Sequence, residues 1–319
     1  MQLVRAILFS LLLALVPALA VAQETGASRA VTNGVDVAHQ AHASAGVVEG
    51  EEGLPLHPVT IFHVGPLPVT NSMLVSWIVA VGLIFFAQLA TRRLKEVPDG
   101  IQNFWEWLVE SLYSFLEGII GHDLVKKTFW FFATIFIFIL FSNWFGLIPG
   151  VGTFGLGFKD ATGHFHLTEP LFRGANADLN MTFAMAMIFF ACWIVWAVQA
   201  NGIGGFIMHI FGPKGETHGL MKVMMVIVFF IVGILEVVSI LFRPVSLSFR
   251  LFGNTYAGEN MLESMQHVVP ALNWLIPIPF YFLEVLVGLV QALVFMLLTA
   301  VFTLLICTHD EGQHPAGEH

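Results

Sequence analysis

The run Met224-Met-Val-Ile-Val-Phe-Phe-Ile-Val-Gly-Ile-Leu-Glu236-Val-Val-Ser239-Ile-Leu-Phe-Arg243-Pro-Val-Ser246-Leu-Ser-Phe-Arg250 decides the class of this protein. It is longer than the roughly 20 apolar residues that cross about 30 Å of hydrocarbon, yet charges are set within it. From residue 224 to about 265 the sequence reads as one helix, too long to cross a bilayer upright. A break over residues 266–277 and a final apolar helix to about residue 306 complete a long, tilted hairpin. Each charge held at membrane depth costs at least a few kcal/mol, a cost normally tolerated for function.

The rest of the chain has the same character. Of 319 residues, 57% are hydrophobic and 11% charged, which is more apolar surface than one soluble core could bury. Spans are expected at 73–90, 129–148 and 181–200. With the two arms of the hairpin they make an all-α integral membrane protein of five mature transmembrane helices. Between the first two spans, Phe104, Trp105, Leu108, Leu112 and Phe115 alternate at helical spacing with Glu106, Glu110 and Glu117. That pattern predicts one amphipathic helix on the membrane surface, closed by Lys126 and Lys127.

Residues 1–22 carry Arg5, an apolar run and Ala20-Val-Ala22, the pattern of a cleaved signal peptide. Residues 23–70 read as an external polar segment, 71–306 as the membrane domain and 307–319 as a cytoplasmic tail. Basic residues orient the chain: Arg92, Arg93, Lys95, Lys126, Lys127, Lys214 and Lys222 fall inside, and Arg29, Lys159 and Arg173 outside. The expected location is the bacterial inner membrane, with the mature N-terminus periplasmic and the C-terminus cytoplasmic.

Several function classes drop out. No basic patch suits nucleic acid, and no phosphate-cradling GxxxxGK[ST] loop occurs, so this chain is expected to bind no nucleotide. Cys192 and Cys307 lie far apart in apolar segments and read as inert packing thiols. His39, His42, His57 and His63 share no ligand spacing and read as solvated; the tail's His309-Asp-Glu-Gly-Gln-His314 looks metal-like but reads better as a solvated tail, so no metal or cofactor is expected. A secondary transporter or another membrane ion channel is the main alternative, but no internal repeat or pair of broken helices supports the former.

The polar groups of the hairpin can be sorted by face and depth. At about 100° per residue, Glu236, Ser239, Arg243, Ser246, Arg250 and Asn254 form one stripe, and Glu259 points to roughly the opposite side. On the second arm, Glu284 and Gln291 share a face. In an antiparallel hairpin folded near residues 270–272, positions whose numbers sum to about 540 to 544 lie opposite each other. Arg250 then falls within a turn of Gln291, and Glu259 beside Glu284. Two offset polar paths result, with an arginine between them. Arginine keeps its proton and so forms a permanent barrier, whereas glutamates can relay. The residues alone also allow a plainer role, in which the charges pair only to hold the hairpin together.

The stretch Arg243-Pro-Val-Ser-Leu-Ser-Phe-Arg250-Leu-Phe-Gly-Asn254-Thr-Tyr-Ala-Gly-Glu259 closely resembles the signature of the a subunits of F-type ATP synthases. Pro98-Asp-Gly-Ile-Gln102, Asn143-Trp-Phe-Gly146-Leu-Ile-Pro149, Asp178-Leu-Asn180 and Gln291-Ala-Leu-Val-Phe extend the resemblance over about residues 70–306. It implies a proton-translocating stator subunit, not itself an enzyme, whose hairpin faces a rotating ring of c subunits. The other implied partners are the b subunits of the peripheral stalk, the F1 sector through the assembled complex, and membrane lipid. Arg250 matches the family's essential arginine. Asn254, Glu259 and Gln291 match positions of the outer half channel, and Glu236 and Ser246 those of the inner one. Glu284 stands where some members have histidine.

Overall fold

The computed structural model describes residues 59–64, 67–92, 95–148, 155–159, 165–211, 220–268 and 275–307. The expected signal peptide, most of the external N-terminal segment and the tail beyond Cys307 lie outside the described residues.

A hairpin of β1 (Thr60–Val64) and β2 (Leu67–Thr70) leads into α1 (Asn71–Thr91). Thr70 caps that helix, its side chain accepting from the Met73 N–H at 3.4 Å. Helix α2 (Ile101–Ile120) and α3 (His122–Gly146) follow. A second hairpin, β3 (Gly155–Lys159) with β4 (Phe165–Pro170), and a 3-10 turn (Ala175–Ala177) lie between α3 and α4 (Leu179–Phe211). Helix α5 (Leu220–Val268) and α6 (Pro277–Cys307) form the expected long hairpin. Five of these helices, all but α2, are long and apolar enough to cross a membrane.

Two boundaries differ most from expectation. Helix α2 is not closed by Lys126 and Lys127: Gly121, at φ 80°, stops it and starts α3. That backbone conformation is cheap only for glycine, so the turn precedes the lysines, which fall in the early turns of α3. Helix α4 runs on past residue 200 to Phe211 through a kink at Gly202, where φ is 69°. On α2, Leu112, Leu116 and Ile120 are buried in the protein, whereas Phe104 and Phe115 of the same amphipathic helix are exposed. A helix lying at the interface has two apolar neighbours, protein and lipid, and its aromatic residues divide between them.

Helix α3 is central. Of the apolar window of α3, 61% is buried within the protein, against 17% for α5. Phe131, Phe132 and Ile139 anchor the core, with α3 packed on α6 and α4 on α5. The open face of α5, with Phe230, Leu235, Phe242 and Phe249, is apolar and exposed, an arrangement that costs little against lipid tails or another apolar helix. Pro244 sits inside α5 without ending it, although it removes the bond to the carbonyl four residues earlier.

Candidate functional site: a carboxylate pocket and an exposed arginine on one helix

Helices α3, α5 and α6 enclose a narrow pocket of about 10 Å³, on the order of a single water. Asn143, Gly146 and Leu147 line it from α3, Asn254, Thr255 and Glu259 from α5, and Glu284, Val287, Gly288 and Gln291 from α6. Four of the seven residues expected to act in translocation, Asn254, Glu259, Glu284 and Gln291, are thus brought together.

Small residues create the room. Gly258 leaves the space that the Glu284 carboxylate fills, and a β-carbon there would collide with it. Gly174 does the same for Glu259, and a β-carbon on Gly146 would lie 3.5 Å from Glu259 Oε1. Each carboxylate is seated on a glycine of a different element, so the glycines fix where the acids stand.

Glu259 is further held by the segment preceding α4. The Gly174 N–H donates to its carboxylate. Arg173 Nε lies 4.0 Å from Glu259 Oε2, and the guanidinium sits 5.8 Å from the centre of the Tyr256 ring. Sequence reasoning counted Arg173 as an external loop cation, but it is only 5% exposed. Its signal was faint: the polar run Arg173-Gly-Ala-Asn176-Ala-Asp178-Leu-Asn180 stands directly before an apolar span.

The same run braces the pocket through Asn143, which was not singled out as a site residue. Asn143 Nδ2 donates to the Gly288 carbonyl at 3.1 Å, and its Oδ1 accepts from Asn176 Nδ2 at 2.7 Å. Thr255 Oγ1 lies 3.4 Å from that same oxygen. Trp144 Nε1 donates to the Val285 carbonyl at 3.1 Å. Asp178, just ahead of α4, accepts from the Ser72 hydroxyl at 2.6 Å and from the Asn180 N–H at 2.9 Å. Five segments are joined at one end of the bundle by buried polar contacts that have no water to replace them in a bilayer.

The other three expected residues stand apart from the pocket lining. On α5, Ser246 and Arg250 are exposed and Glu236 is half-buried. Two points of the face arithmetic change. Asn254, expected on the arginine stripe, lines the pocket with Glu259, because the pocket extends over more than a turn of α5 and takes residues about 140° apart around the helix. Arg243 turns off the stripe into the protein, its guanidinium 4.5 Å from the ring centre of Phe302 and 5.6 Å from that of Trp193.

Chemically, the pocket offers carboxylates and amides that can pass a proton, and the exposed face one turn away offers a cation that cannot. Among the described residues no group of three or more His, Cys, Asp or Glu is placed to hold a metal ion.

Comparison with known proteins shows the family. Residues 73–303 match the family described as ATP synthase A chain. The chain is 32% identical over 247 residues to the ATP synthase subunit a of Moorella thermoacetica, covering 77% of this chain and 95% of the relative. It is 32% identical over 242 residues to that of Gloeobacter violaceus, with 76% and 85% covered. To the ATP synthase subunit a 3 of Pelobacter propionicus it is 35% identical over 227 residues, with 71% and 83% covered.

Proposed function

The chain belongs to the ATP synthase A chain family, and from that premise we propose that its hairpin provides two offset half channels that load and unload carboxylates on a ring of c subunits. As an a subunit it is a multi-pass membrane component of ATP synthase and forms no ATP itself; that catalysis takes place on other subunits.

The observation that carries the reading is the division of polar groups along α5. Glu259 and Asn254 face an enclosed pocket shared with Glu284 and Gln291, while Arg250, one turn before Asn254, faces outward from the bundle. In this reading the pocket is the outer half channel. A proton enters from the periplasmic side, passes among Glu259, Glu284, Asn254 and Gln291, and reaches a ring carboxylate at the exposed face of α5. After nearly a full rotation that carboxylate releases its proton near Ser246 and Glu236, the inner path to the cytoplasm. Arg250 stands between the two. Its fixed charge holds a deprotonated ring carboxylate in passing, and a proton meeting the guanidinium finds no site to occupy.

The exposed apolar face of α5 is where the ring docks, because a helix facing another apolar surface within lipid needs no polar satisfaction. The b subunits of the peripheral stalk hold the chain against rotation and connect it to F1. The protein resides in the bacterial inner membrane with its mature N-terminus periplasmic and its C-terminus cytoplasmic, following the basic residues around the spans. The coupling ion is the proton.

Arg250→Ala tests the reading in the assembled enzyme. ATP-driven acidification of inverted vesicles is expected to vanish while the chain still copurifies with the c ring. Retained pumping would remove Arg250 from this role, and loss of copurification from the unaltered protein would remove the ring as partner.

A further inference from the structure

Two carboxylates, Glu259 and Glu284, line the pocket, a third stands just beyond it on α5, and among the described residues the buried Arg173 faces Glu259. Glu263 stands one turn beyond Glu259 on α5, and both Glu263 and Glu284 act on Glu259 by like-charge repulsion, while Arg173 acts on it by attraction. Arg173 comes from outside the hairpin, three residues after the end of β4, and is 5% exposed. Its neighbour Gly174 both seats the Glu259 carboxylate and donates to it. A cation buried this deeply beside three acids is an electrostatic component of the site, since an unpaired charge in such surroundings costs several kcal/mol.

We propose that Arg173 is the resident counter-charge of this pocket, holding Glu259 on Gly174 and offsetting one of the carboxylates Glu259, Glu263 and Glu284. The proposal rests on the reading of the pocket as an ion path. Three acids in and just beyond a dry pocket cannot all stay ionised. With Arg173 in place the group carries one negative charge less, so protons can move among the acids without being locked there to relieve repulsion. Arg173 acts through Glu259 and is a positioning residue.

The test compares Arg173→Lys, Arg173→Gln, the double variant Arg173→Gln with Glu263→Gln, and Glu259→Gln, each in the assembled enzyme. Initial rates of ATP-driven acidification are read beside the amount of chain that copurifies with the complex. Arg173→Gln is expected to slow pumping roughly tenfold, which corresponds to about 1.4 kcal/mol. Arg173→Lys keeps most of the rate, and removing Glu263 as well recovers it severalfold, because the charge balance returns. A side chain that merely fills space would not be rescued by neutralising a different acid. Equal loss in Arg173→Gln and the double variant therefore overturns the proposal, as does a normal rate in Arg173→Gln when Glu259→Gln is inactive. A normal rate in Glu259→Gln overturns the path reading instead. If Arg173→Gln fails to assemble, recovery of assembly in the double variant supports the counter-charge and continued failure overturns it.

Discussion

The carboxylate of Glu284 occupies the place where a β-carbon on Gly258 would have to be. This contact fixes the register of the hairpin, because the two arms can approach at that height only if one contributes no side chain. It also brings Glu284 toward Glu259, the next residue along α5, and so makes one pocket of two acids.

Gly258→Ala is therefore expected to separate activity from stability. The colliding atoms are the end of a flexible side chain, which can swing aside for roughly 0.5–1.5 kcal/mol. Alanine in place of a mid-helix glycine returns about 1 kcal/mol. The complex should assemble and melt within a few degrees of the parent, while proton pumping falls severalfold because Glu284 has left its position. Pairing Gly258→Ala with Glu284→Ser, which relieves the collision, should not lose further activity. A normal pumping rate in Gly258→Ala would mean that the placement of Glu284 is immaterial.

Gly174→Ala should be the more damaging of the two. The backbone at Gly174, with φ −49° and ψ 127°, suits any residue, so the whole effect comes from space. There Glu259 has less room to escape, since Gly146 closes the opposite side, where a β-carbon would come 3.1 Å from Gly174 Cα and 3.5 Å from Glu259 Oε1. Displacing Glu259 also breaks its approach to Arg173. A loss of pumping of tenfold or more is expected, on the order of the 1–3 kcal/mol lost when a buried polar group gives up its partner. Vesicle acidification measures it directly.

What the sequence made legible follows from periodicity. The opposition of Gly258 and Glu284 falls within the window expected for a hairpin folded near residues 270–272, because helical rise is constant along both arms. Spans likewise emerge from apolar length. Arg173 was not legible: a residue between hairpin and helix has no period to betray its direction, and an arginine outside a span looks solvent-facing unless the loop's path is known. Asn143 was hidden for the opposite reason, lying within an apolar helix whose partners are contributed by residues as distant in sequence as Gly288. Gly121 shows a third case, in which one backbone conformation outweighed the charge pattern that had placed the end of the surface helix at the lysines.

Asn143→Ala should cost stability more than it costs chemistry. The side chain links Asn176, Gly288 and the neighbourhood of Thr255 within a region that admits no competing water. Its loss leaves the Asn176 amide and the Gly288 carbonyl with one partner fewer, at about 1–3 kcal/mol. The expected result is a lower melting temperature of the detergent-solubilised complex. Asn143→Asp retains the acceptor toward Asn176 but loses the donor toward Gly288 and adds a fourth acid near the pocket, so it should be no better than alanine. A melting temperature unchanged in both variants would show that the network carries no net stability.

Arg243 and Arg250 are two helical turns apart and look alike in the sequence, yet their surroundings assign them different work. Arg250 is exposed on α5, where a fixed charge can meet a passing group. The guanidinium of Arg243 lies over Phe302 and near Trp193, and Trp193 itself donates from Nε1 to the Phe302 carbonyl at 3.1 Å. The cation thus closes a junction of α4, α5 and α6. Arg243→Lys keeps the charge but loses the flat face that lies against the rings, and is expected to cost about 0.5–2 kcal/mol of stability. Arg243→Gln should cost somewhat more, because Glu236, which attracts Arg243 along the same helix, also loses its partner. Neither change removes the barrier between the half channels. Passive proton leak through the membrane sector should therefore stay at the parent level in both Arg243 variants while Arg250→Ala raises it, measured as the decay of an imposed pH gradient with ATP hydrolysis absent. Leak in Arg243→Gln equal to that of Arg250→Ala would place both arginines on the barrier and dissolve the distinction.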